Sequence, residues 1–307
     1  MPQTRLVEPG PSRHRSYQAI GAAFLALNRV RYAVRGYRDP RPFPADDFDR
    51  VCTYDIAVVA AWLRYLEEYL GEPPDLIGRS VLELGPGADL GVGTTLLALG
   101  AGRYSALDVN PLVTSVPLEF YRRLLQQVEA QWPQTAGTAG ELLEQVQHTA
   151  AGQADRLRYL CRPDFDLSVF GPGAFDLAVS HAALEHFDDP AAPFRQLRGV
   201  MRDGGLLVAQ VDLQTHTRWI RDRDPLNLYR HPDWWYQACR FRGAPNRIRP
   251  GEYERMLHEA GWREVRILPD LVLPNRHVSG IRPHLAPRFR DNANRMEWLT
   301  VYLLARV

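Results

Sequence analysis

A short apolar strand that runs directly into a glycine-rich turn limits what this chain can fold into more than any other stretch. The residues read Val81-Leu-Glu-Leu-Gly-Pro-Gly-Ala-Asp-Leu-Gly-Val-Gly93, and the pattern after them predicts a helix over 93–100. Glycine lets the backbone approach a ligand closely, and the first turn of a helix adds N–H donors and a partial positive charge. The stretch therefore predicts a ligand site where a strand ends and a helix begins.

Glu83 discriminates between two kinds of nucleotide ligand for this turn. A G-x-G-x-x-G dinucleotide fingerprint that starts at Gly85 would need a third glycine where the chain has Leu90. The Glu83 carboxylate would repel a pyrophosphate, whereas it would attract a cationic amino group. A nicotinamide-dependent oxidoreductase is therefore disfavoured.

This order of residues resembles the E-x-G-x-G signature of class I S-adenosylmethionine-dependent methyltransferases, and the resemblance covers about residues 79–307. It implies S-adenosylmethionine as the cofactor. It also implies that Glu83 takes the amino group of the methionine part, directly or through water. Gly85 and Gly87 would let the cofactor lie against the backbone.

The charge balance, the absence of lysine and the cysteine spacing limit the partners and the chemistry expected of this chain. Because 37 cationic and 36 anionic side chains leave a net charge of +1, bulk electrostatics do not support a nucleic-acid partner. All the cations are arginine, which excludes a Schiff-base lysine and a P-loop lysine. The spacing of Cys52, Cys161 and Cys239 fits neither a metal site nor a disulfide framework, which predicts a reducing cytoplasm. The apolar run 19–27 is too short to span a bilayer, so no membrane association is expected.

From residue 79 onward short apolar strands alternate with helical patterns, which predicts an α/β fold with a parallel sheet. The resemblance implies a Rossmann-like seven-stranded methyltransferase sheet with helices on both faces, in which the last two strands form an antiparallel edge pair. The predicted strands are 80–84, 104–109, 157–161, 175–180, 205–212, 264–268 and 298–306, and the predicted helices between them are 93–100, 117–132, 140–148, 191–202 and 250–261.

Residues 1–75 precede this pattern and are predicted to form an N-terminal helical extension. Residues 1–15 are expected to be loosely attached, and helices are predicted over 16–37 and from about 46 to 70. The proline-rich run 38–44 separates the two helices. These helices are the expected contact surface of a homo-oligomer, if one forms.

Residues 76–307 form the predicted methyltransferase domain, with an inserted helix in about 133–156 and a substrate lid over about 213–249. The lid is rich in aromatic and basic side chains that suit a polar or anionic acceptor or simply pack a long connection. They are His216, Arg218, His231, Trp234, Arg247 and Arg249.

The ends of three further strands carry residues whose chemistry suits the rest of the cofactor. The resemblance implies that Asp108 accepts from the ribose hydroxyls and that Val109 flanks the adenine. It implies that Asp164, or less well Asp166, accepts from the adenine amine, with Phe165 over the ring, and that Ser180 lies under the sulfonium. Singly, each acid could equally be a helix cap or a turn residue.

Methyl transfer from a sulfonium is an in-line displacement, so positioning supplies most of the acceleration. An acceptor that loses a proton also needs a base, for which histidine is suited. His181 is the first candidate, His186 the second and His216 the third; proximity alone is the alternative. His186 could instead be structural, holding Glu185 and its loop.

Leu184-Glu-His-Phe-Asp-Asp-Pro190 resembles the L-E-H-[V/F]-x-D-P phrase of many small-molecule methyltransferases. The sequence therefore predicts methyl transfer to an oxygen or nitrogen of a small polar metabolite or glycan-like acceptor. No metal is expected, because the aspartate of metal-dependent catechol methyltransferases is missing after the fourth strand. The alternatives are an inactive cofactor-binding interaction module and a carbon methyltransferase or cyclopropane-synthase-like enzyme.

Overall fold

The alternation of strands and helices produces one mixed sheet of eight strands. The computed structural model describes residues 4–10, 14–36, 44–111, 113, 116–153 and 155–307. The strands are β1 (Arg5–Leu6), β2 (Ser80–Leu84), β3 (Arg103–Asp108), β4 (Leu157–Cys161), β5 (Phe175–His181), β6 (Met201–Asp212), β7 (Arg263–Val272) and β8 (Trp298–Arg306). Their order in the sheet is β1-β7-β8-β6-β5-β2-β3-β4. The predicted Rossmann-like fold class is confirmed.

Helices cover both faces of the sheet, because its side chains alternate between two apolar clusters. The helices are α1 (His14–Arg35), α2 (Phe48–Leu70), α3 (Gly91–Ala98), α4 (Leu118–Gln131), α5 (Ala139–Ala150), α6 (Ala191–Val200), α7 (Arg218–Arg221), α8 (Asp233–Cys239), α9 (Pro250–Glu259) and α10 (Asn275–Ile281). Helices α2 to α5 pack on the face that includes Val81, whereas α6 and α9 pack on the face that includes Leu82.

The strand count and the edge of the sheet differ from the sequence prediction. Arg5–Leu6, expected to be loosely attached, pairs in parallel with Leu271 and Val272 as an eighth strand. The Arg5 guanidinium also forms a salt bridge with Asp270. Strands β7 and β8 are antiparallel as predicted, but β8 lies inside the sheet, between β6 and β7. A two-residue strand carries no periodic pattern, so its partner rather than its own sequence determines it.

The segment after β6 is packed rather than free. Its residues join those of α10 and the following turns in a third apolar cluster that includes Leu226, Tyr229, Ile281 and Phe289.

The predicted helix of the 133–156 insertion is present as α5. Most of the proline-rich connector predicted at 38–44 lies outside the described residues. No helix in the described part of the chain is both long and apolar enough to cross a membrane.

Candidate active site

Glu83 is buried on β2, one residue before that strand ends, on the side of the sheet that α2 and α3 cover. Its carboxylate accepts a hydrogen bond from the hydroxyl of Tyr104 on the neighbouring strand β3. Burial raises the pKa of Glu83 to about 8, although the Tyr104 hydroxyl acts in the opposite direction. An acid in this state would ionise readily if a cation came beside it.

The turn after β2 needs glycine for steric and conformational reasons. Gly85 has φ of +70° and Gly87 has φ of +85°, a region that other residues rarely adopt. A Cβ on Gly85 would also lie 2.7 Å from the Cβ of Ala183, in the turn after β5. The glycines therefore bring two strand-end turns close together and leave the backbone bare at the predicted cofactor site.

Asp55 on α2 is a site residue that the sequence analysis missed. It is 4% exposed, and its Oδ2 has no hydrogen-bond partner among the described residues. A Cβ on Gly91, the first residue of α3, would lie 2.0 Å from that oxygen. Burial, and after it the nearby Asp89 carboxylate, raises the pKa of Asp55 well above its usual value. A signal was present, because Asp55 occupies an apolar position of α2 with Cys52 and Val59.

Asp89 and Asp108 complete a group of four acids near the turn. Asp89 accepts a hydrogen bond of 2.7 Å from the backbone N–H of Gly91, and burial raises its pKa. Asp108 is buried at the end of β3, and burial raises its pKa as well. In the part of the chain that the structure describes, no arginine pairs with any of these four carboxylates. The edge is therefore acidic and has no cationic side chain to balance it.

The remaining predicted cofactor residues differ in burial: Val109 and Ser180 pack within the protein, whereas the Asp164 side chain is exposed. Val109 follows Asp108 and packs against the apolar cluster that contains Phe165. Ser180 is buried and donates a hydrogen bond of 3.0 Å to the carbonyl of Leu84, which links the ends of β5 and β2. Asp164 is different, because its side chain is 57% exposed and pairs with Arg162 at 2.8 Å.

His181 closes β5 on the face that α2 covers. Its ring makes edge-to-face contacts with Tyr54 at 5.6 Å and Trp62 at 6.4 Å, both from α2. Burial lowers the pKa of His181 to about 4, so the ring is neutral at physiological pH. In the described part of the chain, Nδ1 of His181 has no hydrogen-bond partner. His181 also borders a cavity of about 960 Å³, whose polar lining includes Tyr54, Arg64, Gln210, Asp270 and Tyr302.

The other two candidate histidines contact each other. The rings of His186 and His216 lie 4.9 Å apart, nearly perpendicular. Nε2 of His216 is 3.8 Å from Glu185 and 3.9 Å from Asp212. Burial disfavours the charged ring, but these two carboxylates outweigh it and raise the pKa of His216. The structure thus separates His181, under α2, from a Glu185–His186–His216 cluster.

Three of the predicted lid residues, Arg247, Arg249 and His231, have structural partners within the protein. Arg249 is buried and donates to the backbone carbonyls of Asn294, Arg295 and Trp298. Arg247 donates to the carbonyl of His231 at 2.7 Å, and the His231 ring is itself buried. Arg218 and Trp234 are exposed. Of the predicted lid residues, His216 alone joins the candidate site as the structure describes it.

A family model described as a methyltransferase domain matches residues 54–267. The chain belongs to the methyltransferase-domain family. It is a methyltransferase enzyme. The match begins within α2, so Asp55 and the rest of that helix fall inside the matched region, whereas its first residues do not.

The methyltransferase is also similar to solved structures at low sequence identity. An S-adenosylmethionine-dependent methyltransferase from Mesorhizobium loti is 16% identical, with 78% of this chain and 96% of that chain covered and a TM-score of 0.40. One from Archaeoglobus fulgidus is 13% identical, with 82% and 94% covered and a TM-score of 0.44. The CurJ carbon methyltransferase is 13% identical, with 96% and 71% covered and a TM-score of 0.45. Among curated proteins, no sequence matches this chain.

Proposed function

We propose that this methyltransferase moves a methyl group to an oxygen or nitrogen atom of a small polar acceptor, and that its cofactor lies at the carboxyl ends of β2, β3 and β5. The acidic edge formed by Asp55, Glu83, Asp89 and Asp108 carries the proposal. Three of these carboxylates are buried and Asp89 is half-buried, and none has an arginine partner among the described residues, which suits a ligand that brings its own positive charge. S-adenosylmethionine does so through its amino group and its sulfonium.

Three residues of this edge, Asp55, Glu83 and Asp108, have roles that their positions support. We assign Glu83 and Asp55 to the amino group, since both are buried and Asp55 has an unpartnered oxygen. Asp108 is assigned to the ribose hydroxyls, and Val109 and Phe165 to the adenine. Asp164 serves the adenine amine in this proposal, which requires its exposed pair with Arg162 to open. In this proposal, helix α2 contributes Asp55 to the cofactor site, although α2 precedes the 76–307 domain along the chain.

The cavity beside His181 supports a small acceptor. Its volume of about 960 Å³ is at the upper end of the range for small-molecule sites, and its lining carries both signs of charge, from Arg64 and Asp270. A polar or zwitterionic molecule fits such a lining better than a lipid.

His181 is the proton acceptor in this proposal. S-adenosylmethionine supplies an electrophilic methyl carbon, whose bond to sulfur breaks as the bond to the acceptor forms. The acceptor loses an O–H or N–H proton, and the free Nδ1 of His181 can take it because the ring is neutral. Its low pKa makes it a weak base, so an acidic hydroxyl or a neutral amine suits it better than an aliphatic alcohol.

Calorimetry and a product assay test the two parts of the proposal separately. S-adenosylhomocysteine should bind the wild type, and Asp108→Ala should weaken binding about ten-fold or more, about 1–3 kcal/mol for a lost charged hydrogen-bonding partner. Unchanged affinity would remove Asp108 from the site. Acceptor panels of phenols, amines, sugars and activated carbon acids should yield O- or N-methylated products.

The same panel distinguishes the alternatives. Products methylated only at carbon would indicate a carbon methyltransferase, and cofactor binding without turnover on any acceptor would indicate an inactive binding module. A methylated small-molecule product would support the assignment to the L-E-H-x-x-D-P subgroup, and its absence would contradict that assignment.

Self-association through α1 is a separate proposal, supported by the exposed side chains of Leu27, Val30 and Val34 on that helix. Light scattering of the wild type and Val34→Glu tests it.

A further inference from the structure

The turn after β5 brings together three side chains that the acidic edge does not use. Glu185 and His186 lie in the short 3-10 turn Leu184–His186, and His216 lies in the segment after β6. A carboxylate oxygen and one ring nitrogen from each histidine lie within 4.8 Å of one another. Two nitrogen donors and one carboxylate are a donor set typical of divalent transition-metal ions.

In the described part of the chain, His216 is the charged neighbour of the Glu185 carboxylate, and no hydrogen bond joins the two. Glu185 is 2% exposed, and within the residues that the structure describes neither of its carboxylate oxygens has a hydrogen-bond partner. Nε2 of His216 lies 3.8 Å from Oε1, which is beyond hydrogen-bond distance. A carboxylate removed from water without a partner is costly, so this position calls for a cation between the groups.

Hydrogen bonds to backbone carbonyls orient the rings of His186 and His216, as is usual for metal-binding histidines. Nδ1 of His186 lies 2.7 Å from the carbonyl oxygen of Gly243, and Nδ1 of His216 lies 3.0 Å from that of Gln214. Because a carbonyl only accepts, each Nδ1 carries the proton and each Nε2 presents a lone pair. Hydrogen bonding of this kind fixes the tautomer and the orientation of metal-binding imidazoles.

The turn that carries two of the three side chains is fixed by its neighbours. The backbone N–H of Asn246 donates to the carbonyl of Glu185 at 2.7 Å, and the Asn246 side chain donates to the carbonyl of Leu184 at 2.9 Å. Ligands on a fixed backbone lose little conformational entropy when an ion binds.

We propose that Glu185, His186 and His216 bind one divalent transition-metal ion of the Zn²⁺ or Fe²⁺ class through a carboxylate oxygen and two Nε2 atoms. Donors at about 2.1 Å from one ion are at most about 4.2 Å apart, so the side chains close by about half an ångström on binding. Three protein ligands leave a position open for water or for an oxygen of the acceptor. None of the three belongs to the acidic edge, so the metal site can fail without affecting the cofactor assignment.

The test uses full-length protein without a histidine tag, stripped with a chelator and titrated with Zn²⁺ by calorimetry. One equivalent should bind, and Glu185→Gln and His216→Gln should each weaken binding about 10–100-fold. His258→Gln, a change of an exposed histidine on α9, should have no effect. S-adenosylhomocysteine affinity of the same preparations reports whether each variant is folded.

X-ray absorption of the Zn²⁺-loaded wild type keeps the test independent of the variants. Two nitrogen ligands and at least one oxygen at about 2.0–2.1 Å are expected. Absence of stoichiometric binding, binding that His258→Gln weakens as much as His216→Gln, or a shell of oxygen alone would overturn the site and leave Glu185 and His216 as an ion pair.

Discussion

The hydroxyl of Tyr104 donates a hydrogen bond to the carboxylate of Glu83, across two adjacent parallel strands. A Cβ on Gly93 in α3 would lie 2.3 Å from the Tyr104 ring, so the ring fits only because that position is glycine. The last glycine of the turn therefore makes room for the side chain that holds Glu83. Gly93 can therefore affect cofactor binding without contacting the cofactor.

Gly93→Ala should displace Tyr104 and leave Glu83 without its donor. We expect a loss of about 1–3 kcal/mol in the free energy of unfolding, typical of an overpacked core, and at least a several-fold loss of S-adenosylhomocysteine affinity. Urea denaturation and calorimetry measure the two effects. Gly199→Ala is the matched control, because no atom lies within 4 Å of its added Cβ and the change should be neutral or stabilising. Equal behaviour of the two variants would contradict the packing argument.

Glu83→Gln should stabilise the cofactor-free protein at alkaline pH while weakening cofactor binding. The folded pKa of Glu83, about 8, lies above its ordinary value of 4.5, so the folded state holds the proton more tightly. The stability associated with this proton is complete below about pH 4.5 and is lost as the pH rises through about 8. The variant should lack that loss, which thermal unfolding at several pH values will show.

Cofactor affinity gives the complementary pH dependence for Glu83. Because the amino group favours the ionised carboxylate, wild-type affinity for S-adenosylhomocysteine should rise with pH toward about 8. Glu83→Gln should bind about ten-fold more weakly at about pH 8, with a smaller slope. A wild-type affinity that falls over this range would show that Glu83 does not bind the amino group.

Asp55→Asn tests whether α2 contributes to the cofactor site. The change keeps the shape of the side chain and replaces a carboxyl whose pKa is raised by burial, so the cofactor-free protein should keep its stability, while S-adenosylhomocysteine affinity falls about ten-fold. Asp49→Asn on the same helix is the control, since Asp49 is exposed. Calorimetry on both variants decides the point, and a similar affinity for both would confine the site to the sheet edge.

Arg249→Met should lower the free energy of unfolding by about 2–4 kcal/mol, because three backbone carbonyls lose a charged donor in a buried place. S-adenosylhomocysteine affinity should not change in the folded variant. Arg255→Met on the surface of α9 should stay within about 0.5 kcal/mol of the wild type. A stable Arg249→Met protein that has lost acceptor binding would restore the substrate role predicted from the sequence.

Local patterns explain what the sequence could predict. The limits of β2 and β4 match the prediction, and β3 differs by one residue at each end, because an apolar run bounded by turns depends on its own residues. The acids Glu83 and Asp108 could likewise be assigned to strand ends. Their roles toward the cofactor remain predictions.

Tertiary packing explains what the sequence could not predict. Asp55 reaches α3 only because α2 packs over it, and Tyr104 meets Glu83 only because β2 and β3 are in register. The meeting of Glu185 with His216 depends on the path of the chain after β6. The sequence analysis predicts no helix at α10, which has only seven residues, and the third apolar cluster holds α10 and the turns after it in place.

The inner position of β8 has a kinetic consequence. The strand pairs with β6 on one side and β7 on the other, and the long segment from Leu213 to Glu297 separates β6 from β8 along the chain. Contacts between distant segments form late, because the intervening loop must close first. The pair formed by strands β1 and β7 can therefore join β6 and the parallel strands beyond it only at the last stage of folding. Until then, the edge of β6 stays open to pairing with another chain.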